Sequence, residues 1–169
     1  MSIPCPSPTM AVASQEEVLL GYLEFFRETL IGKLEGLPEG ELRVSRLPSG
    51  WTPVELLKHL RYVELRWLVW GFDGQQVDDP WGDRQGDRWH VAGDESVHTL
   101  IADLRAQGSR TRSIVEAHEL SAIGQPGPRW AGAEPATLER ILLHLLQEYA
   151  RHVGHIDIVA EMAGCPIGE

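Results

Sequence analysis

The segment from about Ala136 to Ala163 constrains this chain most. Leu138, Ile141, Leu145, Glu148, His152, His155, Val159 and Met162 follow one another at alternating spacings of three and four. At 3.6 residues per turn these side chains form one stripe along an α-helix; a strand, with its period of two, would scatter them over both faces. Such a helix has to bury its stripe against other helices. This stripe is apolar at both ends and ionisable in the middle. A buried carboxylate without a partner costs several kcal/mol or shifts its pKa until it is neutral, so Glu148 needs a compensating group.

Three more segments carry helical periodicity. The first is expected to start at Ser14, which with Glu17 forms a capping box, and to run through Leu19, Leu23, Leu30 and Leu34 until Gly36 and Pro38 stop it. The second has Thr52 as N-cap, Pro53 at the first helical position and Glu55 completing the box; Leu56, Leu60, Val63, Trp67 and Trp70 make its apolar face, and Gly71 to Gly74 end it. A third helix is predicted behind Asp94 as cap, with Val97, Ile101, Leu104, Gly108, Thr111 and Val115 along its seam. Gly108 there would let another helix approach closely. The fourth ends at Gly164, with Pro166 beyond.

Two long loops separate these helices. Residues 73–93 are rich in Asp and Gly, and a loop of that length within one domain is usually functional; residues 120–135 hold Gly124, Pro126, Gly127, Pro128 and Trp130. Asp78, Asp79, Asp83 and Asp87 lack calcium-loop spacing and read as a solvated loop. No strand is expected. Residues 1–13, with Pro4, Pro6 and Pro8, form a tail, and residues 14–169 a single all-α domain, a four-helix bundle with long connecting loops.

Charge and length exclude several function classes. Fifteen basic against twenty-five acidic residues give a net charge of −10, the wrong sign for a nucleic-acid or anionic-lipid surface. No apolar run approaches the roughly 18 residues of a membrane-spanning helix, and the start lacks the basic and apolar regions of a secretory signal, so a cytoplasmic location is expected. Cys5 and Cys165 stand at opposite ends and make no disulfide framework.

Glu148 and His152, four residues apart, lie about 6 Å apart along a helix axis and near one azimuth, a spacing that can hold one cation. His59, inward with Leu56 and Val63 on the second helix, is the candidate third ligand. Three ligands from two helices would leave a coordination position open, as catalytic sites do. By ligand softness zinc, nickel and iron(II) all suit such a set, zinc foremost. Against this stands the plainer possibility of hydrogen-bonded core histidines, with Arg61, Arg66 or Arg151 as ion-pair partner of Glu148. His144 extends the row at the edge of the stripe, as a further ligand or, better, as a hydrogen-bond donor behind the ligands or a surface residue. The strings for zinc proteases, di-iron carboxylate bundles, nucleophile elbows and phosphate loops are absent.

Trp51-Thr52-Pro53 followed by His59-Leu60, together with LLHLLQEYARHVGHI from Leu142 to Ile156, resembles the DinB-like superfamily of metal-binding four-helix bundles, and an actinobacterial branch of it in particular. The resemblance covers about Ser14 to Gly164. Relatives in that superfamily include mycothiol-dependent maleylpyruvate isomerase and bacillithiol-dependent S-transferases. The resemblance implies an up-down-down-up helix order and one divalent metal on His59, Glu148 and His152, in the Glu-x-x-x-His form of the isomerase branch. His155 stands where many members carry Gln, which makes it the alternate ligand.

The resemblance further implies a metal-dependent S-transferase or isomerase using a low-molecular-weight thiol such as mycothiol, with a small-molecule electrophile as second partner. Arg61, Arg66 or Arg151 are then candidates to clamp a carboxylate, and Trp67, Trp70 and Trp130 either line the pocket or fill the core. Two alternatives stand beside it: hydrolysis by a metal-bound water, and a non-catalytic metal-binding or stress-related protein. Spare apolar surface on the first helix is compatible with a homodimer.

Overall fold

Capping and periodicity place the helices much as the sequence predicts. The computed structural model describes residues 3–165. Helix α1 spans Gln15–Gly36, with Ser14 as N-cap accepting from the Glu17 amide. The Glu17 carboxylate reaches back one residue further than a capping box requires and accepts from the Ala13 amide. A one-turn α2 covers Glu39–Leu42. Helix α3, Pro53–Glu64, has the complete Thr52–Glu55 capping box. It continues as a π-helical segment over Leu65–Phe72, where the Asp73 amide donates to Leu68 O at 2.8 Å. Helix α4 spans Val97–Glu116 and α5 spans Leu138–Met162, capped by Thr137. The cap of α4 is Ser96, not Asp94: its hydroxyl accepts from the Thr99 amide at 3.0 Å. Pro166 lies outside the described residues.

Cross-helix contacts set the directions. Gln15 bonds Glu139 near the start of both helices and Lys33 pairs with Asp157 near the end of both, so α1 and α5 run parallel. Lys58 pairs with Glu95, Arg61 with Asp103, and Glu64 accepts from Thr111, so α3 and α4 also run parallel. Trp51 against His155 and Glu64 against Tyr149 make α3 antiparallel to α5. The order is up-down-down-up. Leu23, Leu30, Leu56, Leu60, Leu104 and Leu145 are fully buried in the core between the four helices.

This order explains the long loop. Two parallel neighbours cannot be joined by a tight turn, and the chain must return along the whole of α3 and its π segment, about 30 Å at 1.5 Å per residue. Residues 73–96 make that crossover. It is not irregular throughout, as expected, but folds into a short hairpin, β1 (Arg84–Gln85) against β2 (Arg88–Trp89). Gly86, at φ +62°, takes the first corner of its two-residue turn, a conformation glycine adopts without strain. Among the described residues no helix is long and apolar enough to cross a membrane.

A second polar cluster sits inside the bundle. Glu64 is fully buried and accepts from Arg27 Nη2 at 2.9 Å and Nε at 3.2 Å, from the Tyr149 hydroxyl and from Thr111. Burial would push the Arg27 guanidinium down; the Glu64 charge outweighs it and holds it above its ordinary value. Gly108 makes room here: a Cβ on it would stand 2.6 Å from Arg27 Cζ. The close approach at Gly108 is therefore made by the Arg27 side chain of α1, and not by the body of another helix as expected.

Candidate metal centre

His59 comes from α3, and Glu148 and His152 come from the antiparallel α5. Their ligand atoms all lie within 4.8 Å of one another. Glu148 Oε2 is 3.3 Å from His152 Nε2 and 3.9 Å from His59 Nε2. Two ligands bound at about 2.1 Å and separated by the tetrahedral angle stand roughly 3.4 Å apart, so the spacing and the donor types fit one divalent ion. The His152 imidazole, followed by that of His59, holds the Glu148 carboxyl well below the usual carboxylate range, against the opposing effect of burial. Glu148 is therefore ionised. None of the arginines considered from the sequence pairs with it.

The partner of His59 comes from the crossover. His59 Nδ1 is 3.0 Å from Asp83 Oδ2. An ionised carboxylate only accepts, so Nδ1 donates to Asp83 and Nε2 is the ring atom that faces Glu148. Asp83 was expected in a solvated loop, and Asp78, Asp79 and Asp87 are indeed exposed; Asp83 is fully buried. Arg66, from the π segment, grips it with Nη1 at 2.6 Å and Nη2 at 3.2 Å. Burial acts to raise the Asp83 carboxyl, but the hydrogen bonds from His59 and Arg66 win and hold it below its ordinary value. Gly82 allows the loop to settle this deeply: a Cβ there would meet the Tyr62 hydroxyl at 2.4 Å.

His155 stands beside the cluster. Its Nδ1 is 3.3 Å from His152 Nδ1, so one ring donates to the other, and it steadies the face of His152 remote from Glu148. Burial, then the neighbouring His152 and Arg151, push the His155 imidazole down. His144 is half-buried, with Nε2 3.7 Å from Glu148 Oε1.

A cavity of about 400 Å³ opens beside His59, Glu148 and His152. The imidazoles converge on it and are not sealed by hydrocarbon, as a purely structural histidine cluster would be. Trp89 forms part of its roof, stacked on His59 at 4.2 Å and edge-on to His152 at 5.4 Å. Trp67 and Trp81 also line it. Of the tryptophans considered from the sequence, Trp67 faces the cavity, whereas Trp130 is buried in the core and Trp70 is not part of the wall. The pattern missed Trp81, Trp89 and Asp83. The Gly86-Asp87 turn was the available signal, because two-residue strands are too short for alternation to register.

The mycothiol-S-transferase family profile matches residues 18–164. A comparison with curated protein sequences finds no match. Several solved structures share the fold. A conserved protein from Enterococcus faecalis superimposes with a TM-score of 0.65 at 14% identity, over 90% of this chain and 98% of that one. A DinB-like protein from Bacillus cereus gives 0.60 at 16%, over 88% and 95%. YfiT from Bacillus subtilis, described as a probable metal-dependent hydrolase with an unusual four-helix bundle topology, gives 0.61 at 15%, over 95% of each chain.

Proposed function

The chain belongs to the mycothiol-S-transferase family, and from that premise we propose that it is a metal-dependent thiol S-transferase, joining a low-molecular-weight thiol such as mycothiol to a small electrophile. The convergence of His59 Nε2, Glu148 and His152 beside an open cavity carries this reading. In it, these three residues hold one divalent ion, zinc by the nature of the ligands. The ion, when bound, supplies a Lewis-acid seat on which a thiol sulfur is favoured as the nucleophilic thiolate.

The remaining work falls to the chain. Asp83 accepts from His59 Nδ1 and fixes both the tautomer and the plane of the ring, as carboxylates behind ligand histidines do. Arg66 anchors Asp83. His144 Nε2, at the cavity wall outside the ligand set, takes up the proton that the thiol gives off. Trp81 and Trp89 roof the cavity and limit water.

Elemental analysis of protein purified without a polyhistidine tag tests the centre. One divalent ion per chain is expected in the wild type and none in His152→Ala; Glu148→Gln should bind more weakly and stay helical. Full metal content in His152→Ala would overturn the ligand assignment. Unchanged affinity in Glu148→Gln would transfer its role to His155. A panel of thiols and electrophiles tests the reaction, with turnover expected only when both are present. Hydrolysis is the second reading, because three protein ligands leave a position for water. Ester turnover with no thiol present would favour it.

A further inference from the structure

The charges around the cavity run against those of the molecule. The chain carries a net −10, yet Arg66, Arg84, Arg129 and Arg151 all line this cavity. Arg66 is neutralised by Asp83. Among the described residues, Arg84, Arg129 and Arg151 have no ion-pair partner, and Glu148, already engaged by His59 and His152, is the one carboxylate in the wall. Arg129 is the most exposing case. It is half-buried, its Cζ lies 3.6 Å from the Trp67 ring centre, and its Nε is buried without a hydrogen-bond acceptor. A guanidinium cannot shed its proton, so removing it from water without a counter-charge is costly unless a ligand supplies the acceptor. Burial and the nearby Arg66 already press Arg129 below its ordinary value. A divalent ion on the neighbouring ligands would make the cavity more positive still.

We propose that one of the two reactants carries a carboxylate, bound in this cavity by Arg129 with Arg84 and Arg151 in support. The proposal rests on the thiol-transfer reading and narrows its substrate class. A planar carboxylate matches the guanidinium fork and gives Arg129 the counter-charge it lacks. Trp67 backs the guanidinium by cation–π contact, which holds the plane of the fork. The local positive field also draws anions toward a molecule that otherwise repels them.

Calorimetric titration of the full chain, zinc-loaded and metal-free, with succinate and with its uncharged analogue succinamide tests this. Succinate should bind both forms, and about tenfold or more tighter than succinamide, the range of a charge-assisted hydrogen bond. Arg129→Gln should remove that preference with its circular dichroism unchanged, and Arg84→Gln and Arg151→Gln should reduce it. The same titration of the zinc-loaded protein with N-acetylcysteine and N-acetylcysteine amide locates the group. An Arg129-dependent preference for the charged thiol assigns the carboxylate to the thiol; equal binding of the two, with the succinate preference intact, assigns it to the electrophile. Equal affinity for succinate and succinamide would overturn the proposal. So would succinate binding that disappears with the metal and survives Arg129→Gln, an outcome that leaves the metal centre standing. Arg129-dependent succinate binding in a protein that takes up no zinc would do the reverse, supporting the anion site and removing the metal reading.

Discussion

Single side chains decide both the chemistry and the stability of this bundle. Asp83 is the clearest case, because it is ionised, fully buried and bonded to both His59 and Arg66. Its carboxyl is held below the ordinary value, so its contribution to stability is fully present above about pH 4 and is lost as the pH falls through the folded-state value. Asp83→Asn should flatten that acid limb in urea titrations repeated across pH, and should weaken zinc affinity roughly 10–100-fold, as loss of a carboxylate behind a ligand histidine does. Glu64 is the structural counterpart. Glu64→Ala leaves the buried Arg27 with the part-exposed Glu24 as its remaining partner and strands the Tyr149 and Thr111 hydroxyls, and should cost about 3–5 kcal/mol in equilibrium unfolding. The sequence showed His59, Glu148 and His152 because each interrupts an apolar stripe. Asp83 was hidden among exposed aspartates, since nothing in its neighbours' identity marks which of them turns inward. Glu64 was hidden for a related reason: its partners are spread over α1, α4 and α5, and only the assembled fold brings them together.

Helices with strong caps and clear periodicity were legible, and the segments that depend on their neighbours were not. Thr52-Pro53 and Glu55 specify the start of α3 locally, by satisfying its first amides. The π segment over Leu65–Phe72 leaves no comparable mark, yet it carries Arg66 and Trp67 to the cavity. The hairpin leaves only its Gly86-Asp87 turn as a mark, because its pairing serves to seat Asp83 and Trp89 and not to bury a stripe of its own. Helix α4 offers a test of element-level packing. Alanine normally favours a helix over glycine by up to about 1 kcal/mol. At Gly108 the sign should invert, because the new Cβ would collide with an Arg27 guanidinium held in place by Glu64. Gly108→Ala should destabilise by roughly 1–3 kcal/mol in urea, the usual cost of overpacking.

At the scale of the molecule, one ion held between α3 and α5 would couple binding to folding. Zinc at a hundredfold excess over its Kd adds about 2.7 kcal/mol of stability by mass action. For a chain of this length that raises Tm by roughly 5–10 °C. Scanning calorimetry with and without chelator should show this rise in the wild type and none in His152→Ala. The up-down-down-up order could not be read from periodicity, which is blind to direction; it came from family resemblance, and the paired contacts along α1 with α5 and α3 with α4 bear it out. That order also divides the centre between two kinds of scaffold. The ion's seat is built on rigid helices, while Trp81, Arg84 and Trp89, one side of the wall that meets an incoming molecule, come from the return passage over residues 73–96. Descendants of such a chain can therefore rewrite that passage on either side of Asp83, residue by residue or by insertion, and acquire new tastes in substrate without retooling the metal grip beneath it.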